Sequence, residues 1–257
     1  MKFGATSAAG AAVAVFAPAS IGNLAAGFDV LGAAVAPVDG EPWGDVVEAR
    51  LAAADSLAVI GPYADRLPAD PRENLVWRAR EAVARQLGAA LPTLALVLHK
   101  RLPVASGLGS SAASAVAAVV AIDELLGVRL GPGRRLAAAA EVESFASGAR
   151  HLDNVAPILA GGVCLVALGE QVRELPWPDA LRFVVVSPEL ELSTRAARAV
   201  LPREVPLSLA VAHAQNLAAL VHALHAGDRD LLAATLRDLL AEPHRAPLVP
   251  GFAAVQA

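Results

Sequence analysis

The chain has 257 residues, enough for one large domain or two ordinary ones with a substantial core. Hydrophobic residues make up 56% and aromatics only 4%, so that core must be built from Ala, Val and Leu; a formal charge of −4 with no basic block argues against a nucleic-acid surface. The single cysteine, Cys164, excludes an internal disulfide and reads as a buried, inert thiol in a reducing compartment.

Residues 1–11 read as a low-complexity tail. The uncharged stretch from Phe3 to Phe28 is interrupted by Pro18, glycines and polar residues, which argues against a membrane span. Its apolar part is short and Ala-dominated for a signal peptide, so the expected home is the cytoplasm. Ala12 to Ala17 reads as a first strand ended by Pro18. The bent, glycine-bearing loop from Ala19 to Gly32 follows, with Asn23 and Asp29 either closing turns or presented to a ligand. A turn over Gly40–Asp45 leads to a strand at Val46–Ala49, and Asp65–Pro71 is a second loop. Asn74 opens an amphipathic helix reaching about Leu87 and closed by Gly88, and is itself an N-cap candidate.

Leu94–Leu98 is a short apolar strand, and a helix extends to Leu126; between them lies Pro103-Val104-Ala105-Ser106-Gly107-Leu108-Gly109-Ser110-Ser111-Ala112-Ala113. Gly107 and Gly109 permit a tight turn and close backbone approach, while Ser110 and Ser111 fall where a helix has unpaired N–H groups. Such a helix start suits a phosphate. The common P-loop carries a lysine inside the loop, whereas here Lys100 and Arg101 precede it. The stretch is thus a phosphate cradle of another kind, or a Gly/Ser turn capping a buried Ala-rich helix.

A helix over Arg134–Phe145 carries Glu141 and Glu143, which do not share a face. Either is a solvated charge, or one turns inward to hold Mg2+. His151, Asp153 and Asn154 form a polar cluster between apolar segments, followed by Gly161-Gly162 and a strand at Val163–Leu168. Glu170–Pro178 reads as a domain junction and Leu181–Ser187 as a strand. A helix begins near Ser193 and stops at Pro202; two more span Leu207–Ala226 and Leu231–Leu239, and another opens at Pro250-Gly251-Phe252. His213, His222 and His225 lack metal-ligand spacing and read as structural.

Residues 103–113 match every specified position of PxxxGLGSSAA, and the segment resembles the nucleotide-binding motif of the GHMP kinases (galacto-, homoserine, mevalonate and phosphomevalonate kinases). Ser20–Gly32 is similar to the homoserine kinase motif SxANLGPGFDxLG, departing at Gly22 and Ala25-Ala26. His151–Pro157 resembles HxDNVAP, and Thr194–Pro202 resembles TxxARxxLP. The resemblance implies an α+β fold with a βαβ-containing nucleotide-binding domain over 12–169 and a ferredoxin-like C-terminal domain over 170–257. No match to that family's third glycine-rich motif, GxxGxxxSGAGPT, occurs, so a C-terminally truncated domain with weak stability and reduced activity is expected.

The activity implied is phosphorylation of the L-homoserine hydroxyl, on the way to threonine, with ATP and Mg2+. The charge pattern points to no nucleic-acid or membrane partner, and a homodimer is compatible with the sequence. By the same resemblance, Pro103 to Ala113 and Asn74 hold the nucleotide, and Glu143 with Ser110 positions Mg2+. Asn154, which as an amide cannot be a base, orients the reacting groups. Asn23, Asp29, His151, Asp153, Thr194, Arg198 and Arg245 hold the amino acid, the arginines taking its carboxylate. Glu143, Asn154 and Arg198 make up the expected catalytic set. Another small-molecule GHMP kinase and a non-catalytic nucleotide-binding remnant remain open.

Overall fold

A computed structural model describes residues 12–186, 188, 190 and 192–256; the expected tail at 1–11 lies outside them. Seven strands form one sheet: β1 (Val13–Gly22), β2 (Leu31–Val35), β3 (Gly44–Leu51), β4 (Ser56–Ile60), β5 (Leu94–His99), β6 (Val163–Ala167) and β7 (Gln171–Leu175). Their order is β4-β5-β3-β1-β2-β6-β7. Among the described residues only β4 and β5 run parallel, joined through helix α1 (Leu75–Leu87) as a βαβ unit.

Helix α2 (Ser110–Leu126) lies on β1 and β3, flanked by α1 and by α3 (Gly131–Ser147), with α4 (Val155–Ala160) beside them. It is apolar on nearly every face, as a central helix must be. Ala112, Ala113, Ala115, Ala117, Ala118 and Ala121 are fully buried, and their small side chains bring the helix close to the sheet. Val119 and Ile122 add buried bulk, each contributing roughly 1.5–3 kcal/mol by removal from water. Asn74 caps α1 by accepting from Val76 N at 2.9 Å, and Gly88 closes it in the left-handed region.

The first strand does not end at Pro18. β1 pairs with β3 up to Pro18↔Gly44 and with β2 from Ala19↔Val35 onward, so the residue lacking an N–H stands where the strand changes partners. The sheet also runs past residue 170, because β7 forms a hairpin with β6 across the expected junction. Residues 181–186 form no strand, Leu181 N donating to the Pro178 carbonyl at 2.9 Å, and Ser187 lies outside the described residues. No neighbouring strand among the described residues takes their backbone groups, and Val184 is 88% exposed. Trp177 stacks on Phe183 at 4.5 Å instead.

The remaining helices are α5 (Thr194–Ala199), α6 (Leu207–Ala226), α7 (Arg229–Thr235), α8 (Glu242–Arg245) and α9 (Phe252–Gln256). α7 stops short of Leu239. Asn216 Nδ2 donates to the carbonyls of Thr235 (3.2 Å) and Arg237 (2.7 Å), taking acceptors a longer helix would use. Among the described residues α6 is long and apolar enough to cross a membrane, with a mean hydropathy of 1.3. Its Leu220, Ala223 and Leu224 are buried where it packs on α7 and β7.

Candidate active site

The chain leaves β5 through Lys100 and crosses the top of α2 before entering it. Lys100 is 1% exposed; its Nζ donates to Asp45 Oδ2 at 2.5 Å, the Ser110 carbonyl at 3.0 Å and Ser114 Oγ at 3.2 Å. Asp45 also accepts from Arg101 N and Leu102 N at 2.9 and 3.0 Å, and from Ser114 Oγ at 2.7 Å. This knot pins both ends of the loop to β3. Burial pushes the lysine below its ordinary pKa, and Asp45 pulls it back. A buried pair of this kind fixes geometry more than it adds net stability.

Held this way, Ala105, Gly107 and Gly109 all take positive φ (58, 76 and 63°). No side chain caps the N-terminus of α2. The turn and this helix end open onto a cavity of about 930 Å³. That is ample for a nucleotide triphosphate beside a small second substrate. Ser111 Oγ donates to Glu143 Oε1 at 2.9 Å on the cavity wall. Burial raises Glu143 to about 7; the Ser111 hydrogen bond and Lys100 oppose that rise, and Asp153 adds to it.

Asn154 sits between the two glycine-bearing loops. Ser20 Oγ donates to Asn154 Oδ1 at 2.9 Å. A Cβ at Gly109 would strike Ser20 Oγ and come within 2.9 Å of Asn154 Oδ1, and one at Gly22 would strike Asp153 and Asn154. The departure from the homoserine kinase motif at Gly22 therefore falls where the chain has room only for glycine. Asn23 and Asp29 have φ of 55 and 58°, a left-handed conformation Asn and Asp tolerate. Asn23 N donates to Asp153 Oδ2 at 2.9 Å, and Asp29 N to Asn23 Oδ1 at 3.0 Å.

Beyond Asn154 the cavity becomes polar and mixed in charge. Arg198 makes a two-pronged pair with Asp29, its Nη1 donating to Oδ2 at 3.1 Å, and His151 Nδ1 stands 3.3 Å from Asp29 Oδ1. The Arg198 and Arg245 guanidiniums lie over the Phe28 ring at 5.3 and 5.0 Å. Arg245 Nε donates to the Ala197 carbonyl at 3.0 Å. Burial and then Arg198 lower the Arg245 pKa, with only partial compensation from Asp29 and more distant carboxylates. Burial lifts Asp153 to about 6, helped by Asp29, and burial lowers His151. Arg198 Nε and His151 Nε2 are buried with no hydrogen-bond partner among the described residues, and both residues line the cavity. The buried Arg198 N–H awaits an acceptor, while His151, with Nδ1 turned to Asp29, leaves Nε2 as a buried acceptor when the ring is neutral.

The cavity thus gathers Asn23, Asn74, Glu143, His151, Asp153, Asn154, Thr194, Arg198, Arg245 and, from the turn, Val104–Gly107 and Gly109–Ser111. It does not gather all of 103–113. Pro103 is not part of its wall, while Leu108, Ala112 and Ala113 point into the core at 6%, 0% and 0% exposure. Asp29 stands behind the wall, reaching it through Arg198. The hydroxyl beside Glu143 is that of Ser111. Ser110, expected there, turns its Oγ to the Leu102 carbonyl at 3.3 Å, because one helical step swings the side chain onto another face. Ser20, Phe28, Asp45 and Lys100 escaped the sequence reading. Lys100 was legible only as a lysine outside the loop, and its partner Asp45 lies 55 residues earlier.

The GHMP kinases N terminal domain family matches residues 74–162. A crystal structure of homoserine kinase from Cytophaga hutchinsonii ATCC 33406 is 38% identical, covering 95% of this chain and 77% of that one with a TM-score of 0.82. A Listeria monocytogenes protein assigned as a homoserine kinase shares the fold at 24% identity, covering 91% and 77%, TM-score 0.60. So does Streptococcus pneumoniae phosphomevalonate kinase in complex with phosphomevalonate and AMPPNP, at 13% identity, 93% and 80% coverage and TM-score 0.64. On these grounds the chain belongs to the homoserine kinase family of the GHMP kinase superfamily.

Proposed function

We propose that the protein transfers the terminal phosphoryl group of ATP to the side-chain hydroxyl of L-homoserine, giving O-phospho-L-homoserine and ADP in threonine biosynthesis. One arrangement carries this reading: a single cavity joins an uncapped helix N-terminus at one end to paired arginines and carboxylates at the other, with Asn154 between them. The first end suits a polyphosphate. The second suits a zwitterionic amino acid, Arg245 with Arg198 meeting its carboxylate and Asp153 its ammonium, with Asp29 holding Arg198 in place from behind the wall.

In the reaction the alcohol oxygen forms a bond to the terminal phosphorus as the bond to the ADP oxygen breaks, and the alcohol proton is released. No side chain is assigned as base. Phosphoryl transfer draws most of its acceleration from positioning and charge neutralisation, which this site offers in abundance. With its Oδ1 engaged by Ser20, Asn154 presents its amide N–H groups to the reacting oxygens. The first-turn N–H groups of α2 receive charge developing on the phosphoryl oxygens.

Glu143 and the Ser111 hydroxyl, 2.9 Å apart on the cavity wall, would hold Mg2+ together with phosphate oxygens. The ion would neutralise phosphate charge there, and Glu143 would hold it as a carboxylate.

ADP release measured with ATP against L-homoserine, mevalonate and galactose tests the proposal. Turnover only with homoserine is expected. Turnover with another alcohol would reassign the substrate, and nucleotide binding without turnover on any would remove the catalytic reading.

A further inference from the structure

Arg245 reaches the cavity from α8, a helix of only four residues. One helical turn has no stability of its own, because nucleation fixes several dihedrals for a single hydrogen bond. The aim of the arginine must therefore be set from outside the helix. The Arg245 N–H donates to the Ala241 carbonyl at 3.0 Å. Ala241 is 2% exposed, and its own N–H donates to Asp238 Oδ1 at 2.9 Å. Leu240 N donates to the same oxygen at 2.8 Å, and Glu242 N to Asp238 Oδ2 at 3.2 Å. One carboxylate thus takes three consecutive backbone N–H groups where α8 begins, groups that a helix start leaves without intrahelical partners.

Asp238 is itself hidden and held. It is 9% exposed and is not part of the cavity wall, so it does not touch a substrate there. Helix α6 braces the turn that presents it: Asn216 Nδ2 holds the Thr235 and Arg237 carbonyls on the approach. His213, one turn earlier on the same face, stands 4.0 Å from Asp238 Oδ1. Burial and then Arg198 dominate the Arg245 pKa, and Asp238 counts for less there than Asp29, so its leverage on the arginine is geometric.

Resting on the homoserine reading above, we infer that Asp238 is a positioning residue for substrate recognition. It acts through the Ala241 peptide to aim the Arg245 guanidinium at the amino-acid carboxylate, and so sets homoserine affinity from outside the cavity.

The test is a double-mutant cycle on the full chain, read by ADP release at saturating ATP with homoserine varied, with a melt of each variant. Asp238→Ala should raise the homoserine KM about tenfold, less than removing the arginine itself, while kcat and the KM for ATP hold. In an Arg245→Ala background the same substitution should leave the homoserine KM unchanged, because the group it aims is gone. Asp238→Asn keeps an oxygen for Leu240 N and Ala241 N and should fall between wild type and Asp238→Ala. Should Asp238→Ala not fold, Asp238→Asn in both backgrounds carries the same cycle. Equal proportional rises in the two backgrounds overturn the inference, since Asp238 would then act elsewhere. An unchanged homoserine KM overturns it, as does a matching rise in the KM for ATP, which marks general loosening. Asp238→Asn as damaging as Asp238→Ala also overturns it, making charge the cause. Wild type without homoserine turnover overturns the substrate reading and this inference with it, an outcome seen before any variant is compared.

Discussion

Replacing Arg245 with alanine separates substrate binding from turnover. The two arginines over Phe28 are not equivalent. Arg198 already faces a carboxylate, Asp29, whereas among the described residues Arg245 meets the Ala197 carbonyl and the ring. Its pKa is lowered, burial first and the neighbouring guanidinium second, the behaviour of a cation lacking a close anion. A substrate carboxylate would supply that anion through two charge-assisted hydrogen bonds, each worth about 1.5–3 kcal/mol. Taking the lower figure for a partly solvated group gives about 3 kcal/mol, or roughly a hundredfold rise in the homoserine KM. Because the contact is remote from the reacting oxygen, it is held equally in ground and transition states, and kcat should be retained. The assay is coupled ADP release at saturating ATP with homoserine varied, alongside a melt confirming that the variant is folded. Arg245→Lys should recover only part of the loss, since an ammonium cannot fork across a carboxylate. Asn154→Ala should do the reverse, lowering kcat with little change in KM. If both alanine variants lose kcat and KM alike, the division of the cavity into a binding end and a reacting centre is wrong.

Three further outcomes follow from the same geometry. Glu143, raised to about 7, is protonated in the folded protein at a pH where the unfolded chain ionises it. Its contribution to stability is therefore greatest below its ordinary range and falls as pH rises through 7. Metal–nucleotide binding needs the carboxylate and has the opposite slope: the KM for Mg·ATP should climb about tenfold per pH unit below 7, and excess Mg2+ should shift the break to lower pH. A flat profile in wild type, or an unaltered one in Glu143→Gln, would contradict this. Lys100→Met leaves Asp45 buried without its cation and should cost about 3–5 kcal/mol, read as a lower denaturant midpoint; a loss under about 1 kcal/mol would mean the pair is solvated. Gly109→Ala adds a Cβ that strikes Ser20 and crowds Asn154, in a backbone region costing roughly 1 kcal/mol for alanine. It should lower kcat far more than it lowers the melting temperature, which parallel kinetics and melts will show.

Most helices and half of the sheet were legible, and each success has a local cause. α1 carries its own N-cap in Asn74 and its own stop in Gly88, and α6 ends at Gly227 in the left-handed region. β2 was not legible: Leu-Gly-Ala-Ala-Val has no alternation and little bulk, and it is a strand because β1 and β6 bond it on both sides. The 181–186 segment shows the converse, since its Val-rich run satisfies propensity yet pairs with no strand among the described residues. β1 continues through Pro18 because the partner exchange there asks for no N–H, which no single-chain signal could reveal.

The site divides in the same way. Glycines, serines and the His-Leu-Asp-Asn run are short-range patterns, so the glycine-rich turn and the polar cluster could be located directly, while the roles expected of them came from the family resemblance. Which serine meets Glu143, which arginine is already committed to Asp29, and where a buried lysine finds its counter-charge depend on contacts tens to more than a hundred residues apart. Local sequence sets what a backbone segment can do and which groups it carries. Only the packing of α2 against β1 and β3, with the loops it draws together, decided which of those groups face one another across the cavity, because that choice rests on mutual burial and pairing between segments that share no local signal.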